Sequence, residues 1–171
     1  MSNKIRLIVA MDTDGVIGIH NRLPWTSKEE LKHFMTLTKG KCLIMGRKTL
    51  ESLPVLLKGR ILICLSTTEE IPIYGEDCVV FYVKTIDYAL KLASQLRPNE
   101  DVFIAGGSSI YQQLLSDDKV DQLDISIMKE KANIKANDQV FKIEIDFLKW
   151  NCIEKVNYIE FIYFKYSRLS I

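Results

Sequence analysis

Two places in the chain end an apolar, β-branched run in glycine and start a helical pattern at once. One is Ala105-Gly106-Gly107-Ser108-Ser109-Ile110-Tyr111. Glycine lets a backbone come close to a ligand, and a helix N-terminus offers unpaired N–H groups to an anion. A pyrophosphate is cradled this way, but a tight strand-to-helix turn needs the same glycines, and the pair is weaker than a full GxGxxG. The other place is Ile44-Met45-Gly46-Arg47-Lys48-Thr49, with two cations and a hydroxyl in the first helical turn. Cations there oppose the helix dipole unless an anion sits between them; a solvated helix start is the plain alternative. Leu65-Ser66-Thr67-Thr68 brings hydroxyls to a third strand end. Ligands of open α/β sheets bind beyond the carboxyl ends of the strands, so three such ends point to a nucleotide.

A carboxylate is the second chemical signal. In Leu23-Pro24-Trp25-Thr26-Ser27-Lys28-Glu29-Glu30-Leu31-Lys32-His33-Phe34, Glu30 and Phe34 are four apart and share a helix face, which Leu37 extends. Ser27-x-x-Glu30 and Thr26-x-x-Glu29 both match a capping box, so one acid can cap while the other points inward. An inward Glu30 under an apolar pocket has its pKa raised by desolvation and can bind an amidine-like pair of N–H groups bidentately. Arg60, at the start of a strand, pairs either with a substrate carboxylate or with a surface acid. Ser126 follows from ordinary strand alternation in Gln122–Ile127. His20 and His33 read as solvated.

The elements that position these groups are short. Strands are expected at Ile5–Met11, Lys41–Met45, Arg60–Leu65, Val79–Val83, Asp101–Ala105, Gln122–Ile127, Asn151–Val156 and Ile159–Tyr166. Helices are expected at Ser27–Thr38, Arg47–Leu53, Thr85–Leu96 (with Thr85 as N-cap) and Ser108–Leu115. The alternation predicts an α/β, three-layer domain with a mixed, mainly parallel sheet of about eight strands flanked by helices. The last two strands, separated only by Asn157-Tyr158, add an antiparallel edge. Gly15 to Thr26 reads as a long irregular loop of the kind that carries function.

Composition narrows the classes. The 171 residues carry 23 Lys plus Arg against 22 Asp plus Glu, a net charge of +1, which argues against a dedicated nucleic-acid binder. Two histidines, neither at metal-ligand spacing, imply no metal site. Cys42, Cys64, Cys78 and Cys152 form no CxxC and read as small buried hydrophobes in a reducing cytoplasm. No signal-peptide core or membrane span is evident, and a soluble, cytoplasmic, single-domain monomer is expected.

Together these stretches resemble dihydrofolate reductase over essentially the whole chain. Leu7–Met11 resembles the family's first strand. Gly15-Val16-Ile17-Gly18 with Asn21-Arg22-Leu23-Pro24-Trp25 resembles its mobile loop, Glu30 takes the place of its single acid, and the two glycine motifs match its cofactor motifs. The resemblance implies NADPH-dependent reduction of 7,8-dihydrofolate to tetrahydrofolate, with antifolate inhibitors as further ligands. It places Arg47, Lys48 and Thr49, with Ser66 and Thr67, on the cofactor's phosphates and Lys84 beside its adenine. Gly106 and Gly107, through a cis bond, and the Ser108, Ser109, Ile110 and Tyr111 segment would approach it. Ala10, Val16, Ile17 and Gly18 would lie at the nicotinamide. Glu30, helped by Ser126, would bind the pterin. Ile8, Leu31, Phe34, Leu53 and Leu57 would form apolar walls, Arg60 would clamp the glutamate tail, and Leu23 and Trp25 would control water near Glu30.

This chain departs from the family at Ala105, where a larger residue is common, and at Gln139 and Lys142 in Asp138-Gln139-Val140-Phe141-Lys142. The extra room at Ala105 implies weakened binding of diaminopyrimidines such as trimethoprim. Two other readings share the fold: a riboflavin-pathway reductase, against which the Glu30 and Phe34 spacing argues, and a non-catalytic nucleotide-binding member.

Overall fold

The computed structural model describes residues 3–53, 57–68 and 70–170. Among these residues eleven strands and four α-helices follow in order: β1 (Ile5–Met11), β2 (Val16–Ile19), α1 (Lys28–Thr38), β3 (Cys42–Gly46), α2 (Arg47–Ser52), β4 (Arg60–Leu65), β5 (Ile73–Tyr74) and β6 (Cys78–Val83). Then come α3 (Ile86–Leu96), β7 (Val102–Ile104), α4 (Ser108–Ser116), β8 (Gln122–Met128), β9 (Val140–Lys142), β10 (Trp150–Asn157) and β11 (Phe161–Arg168). Nine strands form one sheet in the order β10-β11-β8-β1-β7-β3-β4-β6-β5. From β8 to β6 every pairing is parallel; β11, β10 and β5 add antiparallel pairings at the two ends.

The eight expected strands are all present, and the ninth, β5, has only two residues, too few to show alternation. The Gly15–Thr26 stretch is less irregular than expected. Its apolar Val16-Ile17-Gly18-Ile19 forms β2, paired antiparallel with β9 from the region of Gln139 and Lys142. The pairing is long-range, so no local pattern announces it.

Alternation along the strands sorts the core into two layers. On one face Leu7, Val9, Ile44, Ile63, Ile104, Leu123 and Ile125 pack with Ile86, Ala89 and Ala93 of α3 and Ile110 and Leu114 of α4. On the other, Ile8, Leu43, Met45, Leu62, Cys64, Val80 and Phe103 pack with Phe34, Met35 and Leu37 of α1 and Leu50 of α2. Both long amphipathic helices start where hydroxyls cap them: Ser27 Oγ accepts from Glu30 N at 3.1 Å, and Thr85 Oγ1 from Tyr88 N at 3.1 Å. Chain order leaves β1 for β3 and returns to insert β7 between them. The crevice at the carboxyl ends of these strands is where a doubly wound sheet takes its ligand.

Candidate active site

The face under α1 supplies one half of the site. Ile8 pairs with Asp124 and Ala10 with Ser126 across β1 and β8, so these four side chains share that face. Ser27 is the cap that α1 uses. Glu29 turns away, its Oε1 accepting from Glu160 N at 3.2 Å. Glu30 faces the sheet instead: burial pushes its carboxyl above the usual range, and a hydrogen bond with Ser126 draws it partly back. Of the two acids in tandem, tertiary packing makes Glu30 the inward one.

Apolar side chains surround it. Phe34, Leu53 and Ala105, partly buried, pack with buried Ile8 and Leu57. Leu31, beside Glu30, remains 55% exposed and Leu23 61% exposed, so the fold leaves both uncovered. Trp25 packs beside Met128, Phe161 and Tyr163, and its indole N–H is buried with no partner among the described residues. Tyr111, buried on α4, donates its hydroxyl to Ile8 O at 2.7 Å. Burial raises its phenol, and the nearby Glu30 charge raises it further. It thus ties α4 to β1 beneath Glu30.

The strand ends supply the other half. Gly46 N donates to Gly106 O at 3.0 Å and Ala105 N to Ile44 O at 2.8 Å, which joins the two glycine motifs edge to edge. The Gly106–Gly107 peptide is cis. A Cβ on Gly106 would lie 3.2 Å from Thr49 Oγ1, and one on Gly107 3.3 Å from it. Gly106 also has φ +132°, a region L side chains rarely adopt. Gly106→Ala is therefore expected to destabilise the protein by about 1–3 kcal/mol, read as a lowered midpoint in chemical denaturation, and to weaken dinucleotide binding. Gly107 caps α4 without a side-chain bond, leaving the first N–H groups of Ser108, Ser109 and Ile110 without a capping side chain.

Arg47 opens α2 among Ser66, Thr68, Glu51 and Glu70. Lys48, Thr67 and Lys84 are exposed around the same end, after β3, β4 and β6. Ala10, near the carboxyl end of β1, and Ile17 on β2 are half-buried, while Val16 and Gly18 are buried. Asp12, which sequence reasoning did not single out, pins that loop. Its Oδ1 accepts from Asp14 N at 2.9 Å and Val16 N at 3.0 Å, and its Oδ2 from Ala132 N at 3.0 Å.

Among the described residues Arg60 forms no ion pair with a surface acid. It is 6% exposed, donates Nε to Thr38 Oγ1 at 3.0 Å, and donates its two terminal nitrogens to the carbonyls of Lys58 and Met35. This bracing aims a desolvated guanidinium along a cleft of about 570 Å³ lined also by Lys32, Thr36, Lys39 and Asp77.

Two readings are corrected. His33 is not solvated: its ring lies 4.4 Å from that of Tyr163 and against Tyr158 and Phe161, its Nε2 is buried without a partner among the described residues, and burial lowers its pKa. Lys32 beside it does not reveal the aromatic seat, which β11 and the turn before it supply. Cys152 is exposed on the edge strand β10, whereas Cys42, Cys64 and Cys78 are buried as expected. Burial pushes the Cys42 and Cys64 thiols up to about 11, which leaves them inert. The group most easily overlooked in sequence is Arg6. It binds buried Asp124 through Nε at 2.9 Å and Nη2 at 2.7 Å and reaches Asp101 at 3.2 Å. Tyr163 donates to the same Asp124 at 2.5 Å.

Comparison with known proteins agrees with this arrangement. The family model described as dihydrofolate reductase matches residues 4–167. The dihydrofolate reductase of Mycoplasma genitalium is 36% identical over 154 residues, covering 90% of this chain and 91% of that one. Dihydrofolate reductase type 9 of Escherichia coli is 42% identical over 113 residues, 64% of this chain and 63% of that one. The structure of the Enterococcus faecalis enzyme complexed with NADP(H) and RAB-propyl superposes with a TM-score of 0.76 at 25% identity, covering 98% and 97% of the two chains. With an inward carboxylate at one end of the crevice and paired glycine strand ends at the other, the chain belongs to the dihydrofolate reductase family.

Proposed function

We propose that Glu30 is the proton-handling group of an NADPH-dependent reduction of 7,8-dihydrofolate to 5,6,7,8-tetrahydrofolate, the reaction of this family. One observation carries the assignment: Glu30 is the inward acid of α1, raised by burial and facing Ser126 among apolar walls. Its two oxygens suit the N3 and 2-amino edge of a pterin, a bidentate pairing. A raised carboxyl takes up a proton nearer neutrality than an ordinary glutamate does, and because N5 lies beyond reach of the N3 and 2-amino edge, that proton would travel to N5 through water. Trp25 would limit water beside it, joined by Leu23 once a ligand covers that exposed side chain. Arg60, prebraced by Thr38 and two carbonyls, suits the glutamate tail's carboxylate through its remaining N–H groups.

The residues at the strand ends fit NADPH. Gly46, Gly106 and Gly107 bring bare backbone together around Thr49, as a dinucleotide requires. Ser108, Ser109 and Ile110 would meet the pyrophosphate through N–H groups, with Tyr111 behind them holding β1. Arg47, Lys48, Thr49, Ser66, Thr67 and Lys84 would hold the adenosine phosphates. Ala10, Val16, Ile17 and Gly18 would border the nicotinamide. When bound, the cofactor supplies the hydride that reduces pterin C6; the chain supplies orientation, electrostatics and the proton.

The test is the loss of NADPH absorbance on adding dihydrofolate, in the wild type and in Glu30→Gln. Turnover in the first and a large loss in the second support the assignment. Cofactor binding without turnover in either would instead identify a nucleotide-binding member. The near-neutral charge supports a protein with small-molecule partners rather than nucleic acid, and we read it as a cytoplasmic monomer of one domain. No described helix is long and apolar enough to cross a membrane.

The reading extends to inhibitors. Ala105 lies in the same apolar cluster as Ile8 and Phe34, where each missing methyl group removes contact with a ligand. Trimethoprim should bind weakly, and Ala105→Ile should tighten its inhibition on the order of tenfold. An inhibition constant unchanged by that substitution would count against the role of Ala105.

A further inference from the structure

Glu70 sits where the phosphate-binding reading calls for an anion. Arg47 begins α2 after β3, Ser66 and Thr68 follow β4, and Tyr82 lies on β6, so three adjacent parallel strands bring donors to one place. A single oxygen, Glu70 Oε1, accepts from Arg47 Nη1, from Thr68 Oγ1 at 3.0 Å and from Ser66 Oγ at 3.4 Å. Tyr82 lies nearby on β6, where burial and then the Glu70 charge push its phenol up. Arg47 Nη1 also donates to Thr68 Oγ1 at 2.8 Å, and its Nε to Glu51 Oε1 at 2.9 Å. The Glu70 side chain is 24% exposed, more enclosed than the Arg47 it binds at 46%.

A cation and two hydroxyls converging at strand ends form a donor site for a phosphate monoester. A carboxylate matches the same donors with less charge. We infer that Glu70 is a built-in competitor for the 2′-phosphate of the cofactor and so sets this chain's preference between phosphorylated and unphosphorylated dinucleotides. The inference rests on the placement of the adenosine phosphates given above. A ligand bearing the 2′-phosphate must displace Glu70 from Arg47, Ser66 and Thr68 and then lie beside a carboxylate. A ligand with a free 2′-hydroxyl leaves the cluster intact and can donate to Glu70, the use other dinucleotide sites make of an acid. Discrimination against the unphosphorylated cofactor is thereby reduced.

The test is calorimetric and does not depend on turnover. Adenosine 2′,5′-bisphosphate and adenosine 5′-monophosphate are titrated into the full-length wild type, Glu70→Gln and Arg47→Gln, with thermal melts to confirm that each variant is folded. Glu70→Gln should tighten the bisphosphate about fivefold, the scale of a partly exposed ion pair, and should not tighten the monophosphate. Arg47→Gln should weaken the bisphosphate selectively. Weakening in Arg47→Gln with no tightening in Glu70→Gln overturns the inference and leaves the phosphate placement standing. Bisphosphate binding unchanged in both variants overturns the two together. Equal tightening of both ligands in Glu70→Gln also overturns it, since the effect would not reside at the 2′ position.

Discussion

Glu30→Gln should lower turnover by on the order of 10²- to 10⁴-fold, the range a positioned acid contributes, while binding of the adenosine half of the cofactor is unchanged. Glutamine keeps the shape and the partner Ser126 but can neither carry the charge nor move the proton. The pH profile carries the sharper signature. Because burial raises the Glu30 pKa, the wild-type rate should fall as pH rises through that raised value. The Glu30→Gln profile should lack this limb. Stability moves the other way. A carboxyl whose pKa is raised on folding stabilises below its ordinary unfolded value of about 4.3, and that contribution is lost as pH rises through the folded value. Once that proton is lost, the wild type bears an unfavourable buried charge. Removing it should raise the melting temperature by about 2–4 °C if the gain is ~1 kcal/mol and flatten the decline of stability above the ordinary carboxylate range. Turnover within tenfold of wild type, or an unchanged pH profile, would remove Glu30 from the chemistry.

Arg6→Met should be the most damaging substitution for stability, at about 3–5 kcal/mol, or a melting temperature lowered by roughly 10 °C. Asp124 is 1% exposed, and Arg6 is its only cationic partner among the described residues' ion pairs. Without Arg6, the carboxylate keeps the Tyr163 hydroxyl but stays buried and uncompensated. The guanidinium also covers the Phe103 ring at 4.6 Å, so packing is lost with the charge. Adding Asp124→Asn removes the stranded charge, so the double variant should be less destabilised than Arg6→Met alone. Chemical denaturation of the three variants checks this; equal or greater loss in the double variant would show that packing over Phe103, not charge, governs the site. The lesion also lies near the chemistry, because Asp124 and Ser126 are neighbours on the face of β8 that Glu30 faces.

Much of the fold was legible because its elements carry local signals. Ser27 and Thr85 each precede a helical run by one residue and cap it as their types demand. The parallel strands are apolar on both faces because helices cover both, and continuous apolar runs are visible without a partner. The pairing of β2 with β9 was not visible, since Val16–Ile19 finds its partner far along the chain and each strand is short. His33 misled for a related reason. The residues that seat it, Tyr158, Phe161 and Tyr163, come from the other end of the chain, and nothing within its own helix reveals them.

The site divides along the same line. Sequence alone determined which residues could serve: the glycine pairs at strand ends, the cations after Gly46, a tandem of acids before an apolar face, and an arginine opening β4. Those features are local, set by residue type and spacing within one or two turns. Tertiary structure alone decided how they are used. It turned Glu29 to Glu160 and Glu30 to Ser126, buried Arg60 against Thr38, and placed Glu70 in the grip of Arg47. Each of those outcomes depends on strand register and on side chains from distant elements, which fix desolvation and hydrogen-bond partners that no local pattern contains.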